Sequence, residues 1–343
     1  MKTSISLVTT VLNDVDGVAK FLANMRTQTT MPDEIVVVDG GSVDGTWEAL
    51  QAAAMGHASP HLICLRECGC NVARGRNLAV LKASHDFVVS TDVGCDWDQR
   101  WLEELVAPIV ADPEIELVVG SWGVRSSELV GPWALTEWAL RAEFLECRAR
   151  PDSQITTRSV AFRKGIWLRL GGLPEDLTLA ADDLVFDKLV KATGVRTGSA
   201  SQIRCYWHRH TTLRGFRKET CRYFYGNGEA GVTLRHPILV GGRMAIETIL
   251  LVCGIGAIFY PSVRVYAIGC LVVVALSAVG RVLRWLPAAR RLRELHVNSP
   301  LGRVILFDML GRVDSIQSYT LGWFHGMMHC RNCRARLRVA GAH

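Results

Sequence analysis

P-D-E-I-V-V-V-D-G-G-S-V-D-G-T-W, Pro32 to Trp47, is the stretch that decides the fold. Pro32-Asp33 ends the preceding helix, since proline has no amide hydrogen to continue it. Ile35 to Val38 is an unbroken β-branched run, the pattern of a strand buried on both faces. The run ends on a carboxylate, Asp39. Gly40-Gly41-Ser42 then supplies turn chemistry, and a helix is expected from Trp47.

A strand buried on both faces requires parallel neighbours and helices above and below. The flanking sequence provides them. Ile5 to Val11 has strand composition, and Asn13-Asp14-Val15-Asp16-Gly17 has turn and cap composition. Val18, Phe21, Leu22 and Met25 follow at helical spacing. A third strand is expected over His61 to Leu65, a helix over Arg74 to Ser84, and a fourth strand over Asp86 to Thr91. The pattern predicts an α/β fold with a Rossmann-like, mostly parallel sheet. Ligands bind such sheets beyond the carboxyl ends of the strands, where Asn13, Asp14, Asp39 and Asp92 fall. An aspartate there can accept a hydrogen bond from a ribose hydroxyl or a base N–H. Asp92 can also ligate Mg²⁺ or Mn²⁺ against diphosphate oxygens, and Arg76 can face the same group. Each aspartate alone could equally cap the next helix. Three strand ends converging on one rim favour a ligand. None of these strand ends runs into a GxGxxG fingerprint or a P-loop.

Hydrophobic residues make up 49% of the 343, concentrated after Pro237, and the net charge is +6. Basic residues gather beside the apolar segments, at Arg281, Arg284, Arg290, Arg291 and Arg293 and from Arg331 to Arg338. This placement fits an anionic membrane face, and nothing in the first half interleaves aromatic and basic residues as nucleic-acid binders do. Eleven cysteines at irregular spacing fit a reducing compartment. His325, His329, Cys330 and Cys333 have the makings of a zinc site, or are unliganded residues near a membrane surface.

V-T-T-V-L-N-D, the Pro32–Thr46 phrase, G-R-N-L-A and S-T-D-V-G-C together resemble the family 2 glycosyltransferases of the GT-A fold. The resemblance runs from residue 5 to about residue 230 and is densest up to residue 105. It implies that Asp39 contacts the nucleotide base, with Thr10, Asn13, Asp14, Arg76 and Asn77 also on the nucleotide-sugar. It implies that Asp92-Val93-Gly94 stands where the family's D-x-D holds a divalent metal, so Asp92 is the metal carboxylate. Asp98 is expected to cap the helix at Trp101. Further on, the segment S-V-A-F-R-K-G-I-W-L-R-L-G-G-L-P-E resembles the family's acceptor region. Aligned there, the family's Glu-Asp pair falls on Ala181-Asp182, making Asp182 the general base with Asp183 beside it. Trp207 and Arg209 match a W-R segment that covers the acceptor or the diphosphate. Gly94 and Ala181 replace two acidic residues of the pattern, and Thr10 and Leu12 stand where Pro and Tyr are common.

Met244 to Tyr260 is apolar except for Glu247, and Val263 to Leu283 except for Arg264. The Pro261-Ser262 link makes these a membrane hairpin, and the arginines after it place both ends in the cytoplasm. Leu301 to Met328 carries Asp308, Arg312, Asp314 and Gln317, and is expected to lie at the interface or against the hairpin. Trp133, Trp138, Leu140 and Phe144 suggest an amphipathic helix, interfacial or in the core. The expected organisation is a glycosyltransferase domain over 1–235, divided near 120 into donor and acceptor halves, then a hairpin, interfacial helix and basic tail over 236–343. The expected activity is inverting transfer of a sugar from a nucleotide-diphospho-sugar to a lipid-linked or cell-envelope acceptor, at the cytoplasmic face of the membrane. Its rivals are a degenerate relative that binds without transfer and a nucleotidyltransferase. The latter requires a basic signature that Lys2 and Lys20 do not form.

Overall fold

The computed structural model describes residues 4–56, 59–142 and 145–342, so Lys2 and Phe144 lie outside the described residues. Strands β1 (Ile5–Val11), β2 (Glu34–Asp39), β3 (His61–Arg66) and β4 (Phe87–Ser90) alternate with helices α1 (Val15–Arg26), α2 (Thr46–Met55) and α3 (Val72–Lys82). These four strands are parallel, in the order β3-β2-β1-β4. Val11 pairs with Asp39 and Asp39 with Arg66, so three strands end level.

The mostly parallel sheet expected from the sequence holds up to β4, and beyond it the sheet is mixed. After β5 (Cys95–Trp97), α4 (Trp101–Ala111), β6 (Leu117–Gly123), α5 (Pro132–Arg141) and β7 (Glu146–Cys147), the chain forms β8 (Val160–Arg163). β8 enters antiparallel beside β4. Next come α6 (Lys164–Leu170), α7 (Asp182–Ala192) and β9 (Thr197–Trp207). The path continues β8-β6-β9-β5, with β9 parallel to β6 and β7 on the side of β6. These long-range pairings leave no local sequence signal, because the connections are not simple strand–helix–strand units.

Alternate residues of the central strands feed two apolar layers. Leu7, Ile35, Val37 and Val89 pack with Phe21 and Met25 of α1 and with Trp101, Leu105 and Ile109 of α4. Val8, Val36, Val38 and Val88 pack with Ala79 and Val80 of α3, Trp167 of α6 and Phe186 of α7. Both layers are apolar because the sheet is covered on both faces, which is why β2 is buried throughout.

By contacts the chain forms two compact units: Met1–Glu128, Glu143–Arg209 and His325–His343 in one, Leu129–Ala142 and His210–Phe324 in the other. The second unit is helical, with α5, α8 (Leu213–Ala230), α9 (Arg235–Ala257), α10 (Arg264–Glu294) and most of α11 (Pro300–His329). Helices α9 and α10 are long and apolar enough to cross a membrane, with mean hydropathies of 1.9 and 2.1 over their apolar windows. Those windows are only 6% buried, unlike the core helices of a water-soluble protein. Helix α9 begins nine residues before the apolar run that announces it. Helix α11 packs on the hairpin's far end: Val304 joins Ala139, Trp285, Ala288, Ala289 and Leu292 in one cluster. Trp285 Nε1 donates to Asp308 at 3.2 Å. Arg217 of α8 donates bidentately to Asp314, at 2.7 and 2.9 Å. The last helix, α12 (Arg331–Val339), belongs to the first unit.

Candidate active site

At the end of β2 the Asp39 side chain is fully buried. Its Oδ1 accepts the backbone N–H groups of Gly41 at 2.6 Å and Ser42 at 2.7 Å. Gly41 has φ +103°, which a side chain would resist, so the glycine shapes the turn that presents these donors. The other oxygen, Oδ2, is buried with no hydrogen-bond partner among the described residues. An orphaned carboxylate oxygen is costly, about 1–3 kcal/mol or more, unless a ligand supplies a donor. Asn13 is locked to the same turn. Its N–H donates to Ser42 Oγ at 2.8 Å and its Oδ1 accepts from Val43 at 2.9 Å. Asp14 caps α1, accepting from Gly17 N at 3.0 Å. Thr10 lies against Gly75 of α3, where an added Cβ would come within 2.7 Å of Thr10 Cγ2.

Arg76 of α3 is buried and bridges two segments far apart in sequence. Its Nη2 donates to Asp92 at 2.5 Å and its Nη1 to Asp182 at 3.0 Å. Burial works against the guanidinium charge, and Asp92, Asp182 and Asp183 more than restore it, so Arg76 is held more firmly protonated than usual. Its neighbour Asn77 does something else. Asn77 Oδ1 accepts from Leu173 N at 2.9 Å and Trp167 Nε1 at 3.1 Å, and its Nδ2 donates to Leu173 O and Glu175. Both ends of the amide are occupied by the G-G-L-P-E segment, so Asn77 latches that segment to α3.

Asp182 and Asp183 open α7, but neither is its N-cap; Ala181 is, at φ 74° in the left-handed region. Asp182 is tied to Arg76. Asp183 accepts from its neighbour Leu184 N at 2.8 Å. Burial, and after it the charge of Asp182, pushes the Asp183 carboxyl up to about 6, against the pull of Arg158 and Arg76. A carboxylate with that affinity for a proton is suited to general-base work near neutral pH.

Arg158, which the sequence did not single out, stands at the middle of this site. Its Nε lies 3.9 Å from Asp92 Oδ2, and its guanidinium covers the Trp207 ring at 4.1 Å and the Trp122 ring at 4.9 Å. Arg209, also buried, covers Trp207 at 4.2 Å, so Trp207 touches two guanidiniums. The signal in the sequence is a lone arginine after Thr156-Thr157 with no motif of its own.

The donor chemistry suits a hard divalent cation: Asp92 is partly exposed at a strand end, and carboxylate oxygens are the ligands Mg²⁺ and Mn²⁺ take. Gly94 has open space where a Cβ would stand. A second donor group lies on β5 and after β9, where ligand atoms of Asp96, Glu128 and His208 fall within 4.8 Å of one another. Asp98 does not cap α4 through its side chain; Arg100 is the N-cap. Asp98 instead receives Tyr206 Oη and Arg125 Nη2, both at 3.1 Å. The carboxylate of Asp98 is thus held by Tyr206 of β9 and by Arg125, which follows β6.

Cys330 and Cys333 are buried against the acceptor-side loop. Cys330 Sγ donates to Asp176 O and Cys333 N to Asp176 Oδ2, each at 2.9 Å. Burial pushes the Cys333 thiol up to about 12. Arg336 of α12 donates to the carbonyls of Leu170 and Gly172.

Residues 6–164 match the family model described as Glycosyl transferase family 2. No curated protein matches the chain. Among solved structures, the mannosyltransferase PcManGT from Pyrobaculum calidifontis, in complex with GDP-Man and Mn²⁺, is similar at 21% identity and a TM-score of 0.51. That match covers 99% of this chain and 86% of the other. TarS residues 1–349 from S. aureus are similar at 15% identity, a TM-score of 0.47, and coverage of 95% and 92%. The same TarS segment is also known with UDP.

Proposed function

From residues 6–164 as a family 2 glycosyl transferase segment, we propose that the chain is an inverting glycosyltransferase anchored at the cytoplasmic face of a membrane. It takes a sugar from a nucleotide-diphospho-sugar and passes it to a lipid-linked or cell-envelope acceptor. The observation that carries this reading is Arg76, one buried guanidinium joining the carboxylate after β4 to the carboxylate that opens α7. It puts a diphosphate-side group and a proton-accepting pair in one place, as in-line displacement requires.

In the proposed mechanism Asp39 Oδ2 accepts an N–H of the nucleotide base, with Asn13 and Thr10 shaping the rim of its turn. Asp92 would hold a divalent cation through its carboxylate oxygens. Such an ion would stabilise negative charge on the leaving diphosphate. Arg76 and Arg158 face the same charge and orient Asp92 and Asp182. The acceptor hydroxyl attacks from the side of α7, and a carboxylate must take its proton as the bond forms. Of the two candidates, Asp182 is paired with Arg76 and Asp183 has no ion pair within 4.0 Å among the described residues, which favours Asp183 as the proton acceptor with Asp182 as its electrostatic partner. Trp207, its ring covered by the guanidiniums of Arg158 and Arg209, braces both of them beside the acceptor. The hairpin α9–α10 holds the enzyme where lipid-linked acceptors are found.

The test is nucleotide release from a panel of UDP-, GDP- and dTDP-sugars by detergent-purified protein, with a native lipid extract as acceptor. It is run with and without Mn²⁺ or Mg²⁺, on the wild type and on Asp92→Ala, Asp182→Asn and Asp183→Asn. Metal-dependent release with one donor, lost in Asp92→Ala and Asp183→Asn, supports the reading. Donor binding with no release under any condition supports a degenerate binding protein, for which Gly94 and Ala181 argue.

A further inference from the structure

Between α9 and α10 lies a polar cluster that the transfer reaction does not use. Arg243 Nε donates to Glu247 Oε1 at 2.9 Å, and Arg243 Nη2 donates to Ser277 Oγ at 2.7 Å. The Ser277 hydroxyl donates to Glu247 Oε1, and Arg281 Nη1 donates to Glu247 Oε2. Both carboxylate oxygens are therefore engaged, while each guanidinium has five N–H groups to place and uses only some of them here. Elsewhere in this unit Asp308 is matched by Arg312 and Asp314 by Arg217, one carboxylate to one guanidinium. Here two guanidiniums share one carboxylate, so the cluster has an excess positive charge.

The surroundings make that charge conspicuous. Leu239, Ile246, Leu276 and Val279 around it are all more than half exposed, so the cluster sits in an apolar surface. Its depth follows from the helix rise. Arg264 and the exposed rings of Tyr260 and Tyr266 mark the hairpin tip, as interfacial aromatic and basic residues do. From Arg264 to Arg281 is about 25 Å along α10, against a hydrocarbon core of about 30 Å. With the tip at one interface, the cluster falls at the level where the acyl chains meet the headgroups of the opposite leaflet. A net positive charge at that depth is stabilised by an anion supplied from the bilayer, and lipid phosphate is the anion present there.

Building on the membrane reading of the hairpin, we propose that Arg243, Ser277 and Arg281 form a site for the phosphate of an anionic phospholipid, with Glu247 holding the two guanidiniums apart and in register. Arg243 is the contact residue, since its side chain is 40% exposed against 19% for Arg281. A clamp that only joins the two helices would use the same residues but would respond differently to their removal. Deleting the carboxylate raises the excess charge, which strengthens a phosphate site and weakens a clamp.

The test is native mass spectrometry of the full chain in mild detergent, titrated with phosphatidylglycerol or phosphatidylcholine, and separately with inorganic phosphate as competitor. The expected result is one phosphatidylglycerol adduct, preferred at least tenfold over phosphatidylcholine. It should weaken about tenfold in Arg243→Gln, hold or strengthen in Glu247→Gln, and resist millimolar inorganic phosphate. Equal uptake of both lipids, no change in Arg243→Gln, or loss in Glu247→Gln overturns the site. Displacement by inorganic phosphate alone shows a free-anion site and overturns the lipid assignment. Flotation with neutral vesicles is measured in parallel; wild-type protein that fails to float overturns the anchoring itself, which separates the two failures.

Discussion

The two ends of the active site hold their carboxylates in different ways. At the donor end Asp39 is gripped by backbone N–H groups of the turn that follows it, and Asp14 by the backbone of the helix it caps. At the other end, where the donor's diphosphate would meet the acceptor, Asp92 and Asp182 are gripped by the side chain of Arg76, and Asp183 answers to the charges around it. Backbone donors come with the local fold and cannot be reassigned. A guanidinium can exchange one partner for another when a diphosphate or a cation arrives. The donor end is thus a mould, and the acceptor end is an electrostatic balance that substrates can tip.

Breaking the acceptor end should have the largest effect. Asp183→Asn is expected to lower turnover roughly 10³-fold with donor affinity nearly unchanged, as for loss of a general base. Asp182→Asn should cost only about tenfold, the scale of one charged hydrogen bond. Steady-state nucleotide release and donor titration separate the two, and equal losses would show that the pair acts as one unit. Next comes the donor end. Asp39→Asn should weaken donor binding about 10- to 30-fold, because one oxygen is replaced by a donor where an acceptor is needed. Calorimetry with the nucleoside diphosphate reads this directly.

The balance also has a pH signature. Asp183 must be ionised to act, and its carboxyl is pushed up to about 6, so turnover should climb as pH rises through that value. Asp182→Asn removes a charge that contributes to the rise and should move this limb to lower pH. A limb that stays in place would mean that burial alone sets it. The smaller effects are on stability. Asp14→Ala should cost about 1 kcal/mol of unfolding free energy through the lost cap. Ala181→Gly should add about 0.5–1 kcal/mol by relieving a left-handed alanine, as thermal unfolding would show.

This contrast also explains what the sequence disclosed. The four parallel strands, the Asp39 turn and the level ends of β1, β2 and β3 were legible because each is encoded within a few residues. Asp92 was legible because it directly follows a strand. Arg158 was not, since its role depends on Trp122 and Trp207, which only the β6–β9 pairing brings beside it. Asn77 was placed on the donor side by its neighbour Arg76, yet a side chain one position on faces a different partner, and Asn77 holds residues 173–175. The order of the sheet beyond β4 was hidden for the same reason, and so was the return of α12 to the first unit.

That return has a consequence for the order in which the protein is made. Helix α12 seals Cys333 and Leu337 against the loop around Asp176, the loop that Asn77 also holds. The ribosome delivers both hairpin helices before it delivers α12. The acceptor side is therefore unfinished while the hairpin emerges, and its last brace closes only afterwards. Synthesis itself postpones this brace until the apolar segments have left the ribosome.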